Sequence, residues 1–225
     1  QTPAGFGMWG WRMPRPGLWI KTVSVRISAL LSRPTGNGEM MKVIIETLKN
    51  FPECFDNCNF QIHEKSELLK QKQQLNLKSE NIIWIDDIKI NNSYPTVFLA
   101  NEFFDALPIK QFFKRKESWV ERFVNFKDEK NAEFNEHPIN IKNIDKDLSF
   151  EISKDQEIIE YSPSSFEYLK DISNLIKKND GGILIIDYGY LNLKMEETLQ
   201  AIKNHKHSNI LEDIGDSDIT YNINF

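Results

Sequence analysis

The residues able to do chemistry stand in short polar clusters, each directly after an apolar run. They are Gly36-Asn37-Gly38, Glu64, Asp86, Asn101-Glu102 with Asp105, and Asp187-Tyr188. A Gly-x-Gly ahead of a helix lets a ligand approach the backbone and offers it the free N–H groups of the helix start. The same pair also serves as an ordinary turn, and the third glycine of the dinucleotide fingerprint is missing. Glu64, 26 residues after Gly38, could accept two ribose hydroxyls on its carboxylate. Spacing alone favours the plainer role of an exposed charge in Glu64-Lys65-Ser66-Glu67. In Asn101-Glu102-Phe103-Phe104-Asp105-Ala106-Leu107-Pro108, polar groups beyond a buried strand can orient a ligand or nucleophile. They can equally cap a helix, with Asn101 as the cap and Glu102 facing the dipole. His205-x-His207 with Glu212, Asp213, Asp216 and Asp218 matches neither H-E-x-x-H nor an EF-hand loop, so no metal is expected.

Positioning these clusters requires alternating helices and strands. Met40, Met41, Ile44, Ile45 and Leu48 recur at helical spacing and predict a helix ended by Phe51-Pro52. Ser66 caps a second predicted helix, with Leu68, Leu69 and Leu75 as its apolar face. Ser162-Pro163 opens a third, carrying Phe166, Leu169, Ile172, Leu175 and Ile176. Strands are predicted at 59–63, 82–85, 96–100 and 183–186, the last two apolar enough to be buried on both faces. Residues 111–124 read as a hairpin, 127–150 as loop or edge, 195–205 as a short helix and 219–225 as a terminal strand. The pattern implies an α/β fold with an open, mostly parallel sheet and a β-hairpin insertion around 111–124. Such sheets bind ligands at the carboxyl ends of their strands, where the clusters fall.

Bulk properties narrow the function. The net charge of −5 over 225 residues lacks the clustered Lys and Arg of a nucleic-acid binder. Cys54 and Cys58 alone fit neither a zinc site nor a secreted disulfide framework, which favours a reducing compartment. No apolar run approaches the ~18 residues of a membrane span.

Residues 1–35 differ from the rest. Trp9, Trp11, Trp19, four prolines and Arg12, Arg15, Arg26 and Arg33 crowd that stretch, whereas Asn first occurs at Asn37 and Arg later only at Arg115 and Arg122. The segment is expected to be a Gly/Pro-rich arm or the product of a frame error near Pro34-Thr35. Residues 36–225 are expected to be a partial catalytic domain, lacking N- and C-terminal portions.

Three stretches in order, FLANEFFDALPIKQF at 98–112, IIEYSPSSFEYLKDI with GGILIIDYGY at 158–190, and ETLQAIKNHKHSNILEDIGDSDITYNINF at 197–225, resemble the MidA family of S-adenosylmethionine-dependent methyltransferases. The resemblance covers roughly 36–225, with QIHEKSELLKQKQQ at 61–74 matching more loosely. It implies a Rossmann-like methyltransferase sheet and S-adenosylmethionine as cofactor. It further implies Gly36, Gly38, Glu64 and Asn101 as cofactor-binding positions and Glu102 and Asp105 as catalytic candidates. The family's mitochondrial member implies a protein substrate, an arginine of a respiratory complex I subunit methylated during assembly. The compartment would be the mitochondrial matrix in a eukaryote and the cytoplasm in a bacterium. The chain departs from the family where Glu-x-Gly-Pro should precede the last loop glycines and Ser32-Arg33-Pro34-Thr35 stands instead. Two rivals follow: a non-catalytic assembly or binding module, and a nicotinamide-dependent oxidoreductase, against which the missing third glycine counts.

Overall fold

The computed structural model describes residues 24–30, 36–78, 82–89, 93–128, 131–144, 152, 154–212 and 215–225. The Ser32–Thr35 departure, and the segment before residue 24, lie outside them.

A five-stranded parallel sheet organises the molecule. β1 (Val25–Leu30) is followed by α1 (Glu39–Leu48), α2 (Pro52–Phe55), β2 (Cys58–His63), α3 (Glu67–Leu77), β3 (Ile82–Ile85) and β4 (Thr96–Asn101). Val25–Leu30 falls inside the compositionally distinct segment 1–35, yet it lies at the centre of the sheet, between β2 and β4. The chain then leaves the sheet through β5 (Lys110–Arg115), β6 (Ser118–Phe126), β7 (Ala132–Ile139), α4 (Ile141–Ile144) and β8 (Ile158–Tyr161). It returns along α5 (Pro163–Asn179) to β9 (Gly181–Ile186) beside β4. The order β3-β2-β1-β4-β9 reverses direction between β1 and β4, the crevice where doubly wound sheets take their ligands.

Each face has its own core. Met41 and Ile45 of α1 and Leu77 of α3 pack on Ala29, Phe60, Ile62 and Ile82. Ile172 of α5 packs on the opposite face with Leu30, Phe98 and Ala100, and Ile183 and Ile185 border it. Burying side chains of this size is worth roughly 1.5–3 kcal/mol each. The face opposite α5 is open at β4 and β9, where Val97 and the 52–53% exposed Leu184 and Ile186 meet solvent among the described residues. The two strands are therefore not buried on both faces, as their unbroken apolar runs suggested. β9 also begins under tight constraint: Gly181 (φ +130°) leaves no room for a Cβ, which would stand 2.0 Å from the Thr96 carbonyl oxygen.

The predicted hairpin is the middle of a larger four-stranded antiparallel sheet, β7-β6-β5-β8, over a third core of Phe112, Trp119 and Ile159. Residues 132–139, expected as loop or edge structure, form β7 and pair with β6 along its whole length. Cross-strand charge and ring contacts replace apolar alternation there. Arg115 bonds Glu136 at 2.5 Å, and the Arg122 guanidinium lies 3.9 Å from the Phe113 ring centroid and 4.9 Å from that of Phe134.

The C-terminal part holds β10 (Gly189–Tyr190), β11 (Gln200–Lys203), β12 (Lys206–Ser208), β13 (Asp218–Thr220) and β14 (Ile223–Asn224). No helix spans 195–205, as the pattern had suggested; Gln200–Lys203 is a strand hydrogen-bonded on both sides, to β12 and β13. The expected terminal strand is split between β13 and β14, which belong to different sheets. His205 and His207 sit at the β11–β12 hairpin. No cluster of three or more potential metal ligands occurs among the described residues.

Candidate functional site

The predicted site residues emerge at the carboxyl edge of the parallel sheet and form two groups on either side of the switch point. Gly38 precedes α1 in the left-handed region (φ +95°), and Asn37 Oδ1 accepts from Glu39 N at 3.1 Å. A Cβ on Gly38 would approach Leu77 Cδ1 to 2.9 Å. We predict that Gly38→Ala destabilises the fold by roughly 1–2 kcal/mol from backbone strain alone. Denaturant unfolding checks it; an unchanged midpoint would refute the strained geometry.

Beside this turn, Glu64 directly follows β2 and is only 2% exposed. The exposed charge favoured by its spacing is thus wrong, and a buried partner explains why. Gln73, fully buried one helix away, donates through Nε2 to Glu64 Oε2 at 3.0 Å and to the Gly36 carbonyl at 2.6 Å. Its own Oε1 accepts from Trp84 Nε1 at 2.9 Å, and Ser66 N donates to Glu64 Oε1 at 2.8 Å. A buried carboxylate needs such donors. Each oxygen accepts one bond here, whereas an ionised carboxylate can take about four in all. The remaining capacity suits the two hydroxyls of a ribose. The buried face of α3 is accordingly Leu69, Gln73 and Leu77, not the Leu68-Leu69-Leu75 stripe, and Leu68 and Leu75 are exposed.

His63, just before Glu64, is buried against Tyr168 of α5, with 2.8 Å between Nε2 and the Tyr168 hydroxyl. The Phe103 ring meets Tyr168 edge-on, with centroids 4.9 Å apart, closing an aromatic wall at the edge of β2 and β4. Burial, then the nearby Lys65 charge, push the His63 pKa below its ordinary value; Ile85 and the carboxylates of Asp87 and Asp86 oppose this. A lowered histidine pKa means the unfolded chain binds the proton first. Stability is therefore complete above the unfolded value of ~6.5 and falls as pH drops towards the folded value. Unfolding midpoints compared between pH 7.5 and pH 5 should show a smaller acid loss in His63→Gln than in the parent; equal losses would refute the assignment. Asp86, beyond β3, is held by Lys70 at 2.5 Å, and that hydrogen bond keeps its carboxyl below the usual range.

On the other side of the switch point, β4 runs into the Asn-Glu-Phe-Phe-Asp segment. Asn101 is half-buried and pairs in register with Ile186. Glu102 adopts φ +48°, uncommon for a side chain of this size, and its N–H donates to the Ile186 carbonyl at 2.8 Å. Strain of this kind gathers at functional sites. Phe104–Ala106 then forms a 3-10 turn. Asn101 does not cap it. Asp187, at the end of β9, does so from across the sheet: Oδ2 accepts from Phe104 N at 2.9 Å and Asp105 N at 3.3 Å, while Oδ1 accepts from Tyr188 N. Asp105 is 1% exposed, and its carbonyl accepts from Tyr221 N at 3.2 Å.

Asp187 was legible as an acid at the functional edge, but not as the anchor of the loop 83 residues earlier. Gln73, His63 and Tyr168 were missed: each looks like ordinary helix or strand content until long-range contacts are known. Glu160 was missed as well. Its carboxylate gathers Gln111 Nε2, the Thr198 N–H and hydroxyl, and Leu199 N. The only advance signal was Thr198-Leu199-Gln200-Ala201 itself.

A family model described as "Putative S-adenosyl-L-methionine-dependent methyltransferase" matches residues 34–225. The mitochondrial protein arginine methyltransferase NDUFAF7 homolog of Caenorhabditis elegans is 33% identical over 147 residues, 64% of this chain and 34% of that protein. Mitochondrial protein arginine methyltransferase NDUFAF7 of Xenopus laevis is 25% identical over 234 residues, 92% of this chain and 53% of its own length. The chain thus spans a third to a half of these relatives. A Burkholderia thailandensis structure bound to S-adenosyl-homocysteine superposes with a TM-score of 0.68 at 18% identity, covering 90% of this chain and 53% of that one, a likeness of fold.

Proposed function

Because the chain belongs to the MidA-type family of S-adenosylmethionine-dependent methyltransferases, we infer that it transfers a methyl group to an arginine of a protein, a subunit of respiratory complex I during its assembly. The observation that carries the reading is the pairing of two polar groups across the β1–β4 switch point. Gly36, Gly38 and Glu64 lie on one side, and the strained Glu102 loop pinned by Asp187 on the other. The residues fit the family's cofactor, S-adenosylmethionine. A buried acid with unused acceptor capacity directly follows β2, and a turn whose Gly38 sits at φ +95°, strained for any side chain, precedes α1.

When bound, the cofactor supplies an electrophilic methyl on a sulfonium. The protein must bring the acceptor nitrogen in line, near ~3 Å, and exclude water. A guanidinium is a cation that sheds one proton as the new N–C bond forms. Carboxylates beside it orient the planar group through paired hydrogen bonds and receive that proton. Glu102 takes this role, on the half-buried loop, with the buried Asp105 one turn behind it. Gly36, Gly38, Glu64 and Asn101 hold the cofactor. The compartment is the mitochondrial matrix in a eukaryotic cell, or the cytoplasm in a bacterial one.

Calorimetry with S-adenosyl-homocysteine is the direct test, followed by transfer of labelled methyl to arginine peptides. Saturable heat and label on arginine support the reading. Absence of heat favours an assembly or binding module without cofactor, and heat with a nicotinamide dinucleotide instead favours the oxidoreductase. Glu102→Gln should lower the transfer rate about 100-fold, the lower end of a general-base contribution, while leaving S-adenosyl-homocysteine affinity unchanged.

A further inference from the structure

We propose that the cavity between the first turns of α5, β9 and the C-terminal residues receives an apolar side chain, most favourably an aromatic one, flanking the methylated arginine of a protein substrate. The proposal rests on the methyl-transfer reading above and specifies its substrate class.

The cavity has a volume of about 340 Å³, and Phe104, Phe166, Leu169, Ile185 and Met195 supply much of its wall. An apolar cavity of about 150 Å³ accepts benzene, so this one has room for a phenyl or indole ring and part of its backbone. Phe104 ties the cavity to the acceptor loop. It stands two residues after Glu102, and its own N–H is the one held by Asp187 at 2.9 Å. A chain segment lying along that loop would present one residue to Glu102 and a neighbour to the cavity.

The polar groups on the wall argue against a charged occupant. Glu160 is the acid there, and its carboxylate already accepts from Gln111 Nε2 (2.7 Å), Thr198 Oγ1 (2.5 Å), Thr198 N (3.1 Å) and Leu199 N (3.2 Å). Three of these donors converge on Oε1 and the Thr198 hydroxyl alone meets Oε2, so at most one acceptor position of this carboxylate is unspent. Ser162 Oγ accepts from Ser165 N, Ser165 Oγ meets the Tyr221 hydroxyl at 3.4 Å, and the Tyr190 hydroxyl accepts from Glu196 N. Burial raises the pKa of both tyrosines, so their hydroxyls stay neutral. A guanidinium entering this cavity would lose its water and find at most one spare acceptor position, on Glu160 Oε2, for its five N–H donors, whereas a hydrocarbon ring would lose only unfavourable hydration. The arginine therefore belongs outside, at Glu102, and the flanking ring inside.

The test uses the full chain saturated with S-adenosyl-homocysteine and two peptides identical except for Phe or Ser on either side of one arginine. Fluorescence anisotropy should show the Phe peptide binding about tenfold more tightly or better. The 13C-methyl signal of Met195, assigned with Met195→Leu, should move with the Phe peptide and stay still with the Ser peptide. Ser165→Trp fills the cavity and should erase the preference while S-adenosyl-homocysteine affinity stays within about twofold. Equal affinity for the two peptides, measurable or not, overturns the proposal. So does a Met195 signal moved by S-adenosyl-homocysteine alone, which would give the cavity to the cofactor. Should Ser165→Trp fail to fold, the parent's Met195 signal still decides. Lack of S-adenosyl-homocysteine heat would defeat the methyl-transfer reading itself, a separate result.

Discussion

Glu64→Gln weakens S-adenosyl-homocysteine binding by about ten- to a hundredfold, the worth of hydrogen bonds to a charged group, roughly 1.5–3 kcal/mol. The substitution is nearly isosteric, so packing is kept. It replaces one carboxylate oxygen by an NH2 that cannot accept. In the parent, Ser66 N and Gln73 Nε2 each donate to one oxygen of Glu64, at 2.8 and 3.0 Å. Whichever end the amide nitrogen takes, it faces an existing donor, and Gln73 must also keep its bond to the Gly36 carbonyl. The acid and the glycine turn are thus coupled through one side chain. Titration calorimetry on parent and variant gives the ratio; equal affinities would show that Glu64 is a structural group only. Gln73→Leu separates the two roles, since it leaves the carboxylate in place and removes its clamp, together with the bonds to the Gly36 carbonyl and from Trp84 Nε1.

Asp187→Ala should lower the rate of methyl transfer far more than it lowers cofactor affinity. It strips the acceptor from the N–H groups of Phe104 and Asp105, both in buried residues. Each orphaned donor costs about 1–3 kcal/mol, which the loop can relieve only by moving. Movement there displaces Glu102, whose backbone is held at φ +48° between β4 and the turn. Misplacement by about 1 Å can cost on the order of 100-fold in rate. Asp187→Asn retains one acceptor oxygen and should recover part of the loss. Steady-state kinetics with parallel S-adenosyl-homocysteine titrations check this; a matched fall in rate and cofactor affinity would contradict it.

The sequence announced those elements whose apolar spacing is set by one local contact surface. α1 shows its stripe because Met41 and Ile45 face a single sheet, and α5 because Ile172 does. Ser66 and Ser162 cap their helices as read, each accepting from the N–H three residues on. Elements stabilised from far away were hidden. Residues 195–205 carry a run that suits a helix, but Glu160 claims the N–H groups of Thr198 and Leu199, and strand partners on both sides claim the next residues. β7 is held by Arg115–Glu136 and by stacking on Arg122, so its apolar content is too low to signal a strand. At the site, positions were legible from the motifs, but the environment was not. Glu64 reads as a surface acid because Gln73, the residue that makes its burial tolerable, lies nine positions on in a different element.

The placement of β9 also bears on how the chain acquires its structure. Thr96 pairs with Gly181, about 85 residues later, and the described elements between β4 and β9 are the 3-10 turn, the antiparallel layer, α4 and α5. Long-range pairing of this kind slows folding, because the closure entropy is lost before the contacts repay it. Until β9 arrives, β4 is an unpaired edge carrying Val97, Phe98, Leu99 and Ala100, a template for strands of other molecules. During synthesis the ribosome must deliver some 85 further residues before that edge is sealed. Slow refolding and loss to aggregates, relieved by dilution or a holding chaperone, follow from this one strand's late arrival.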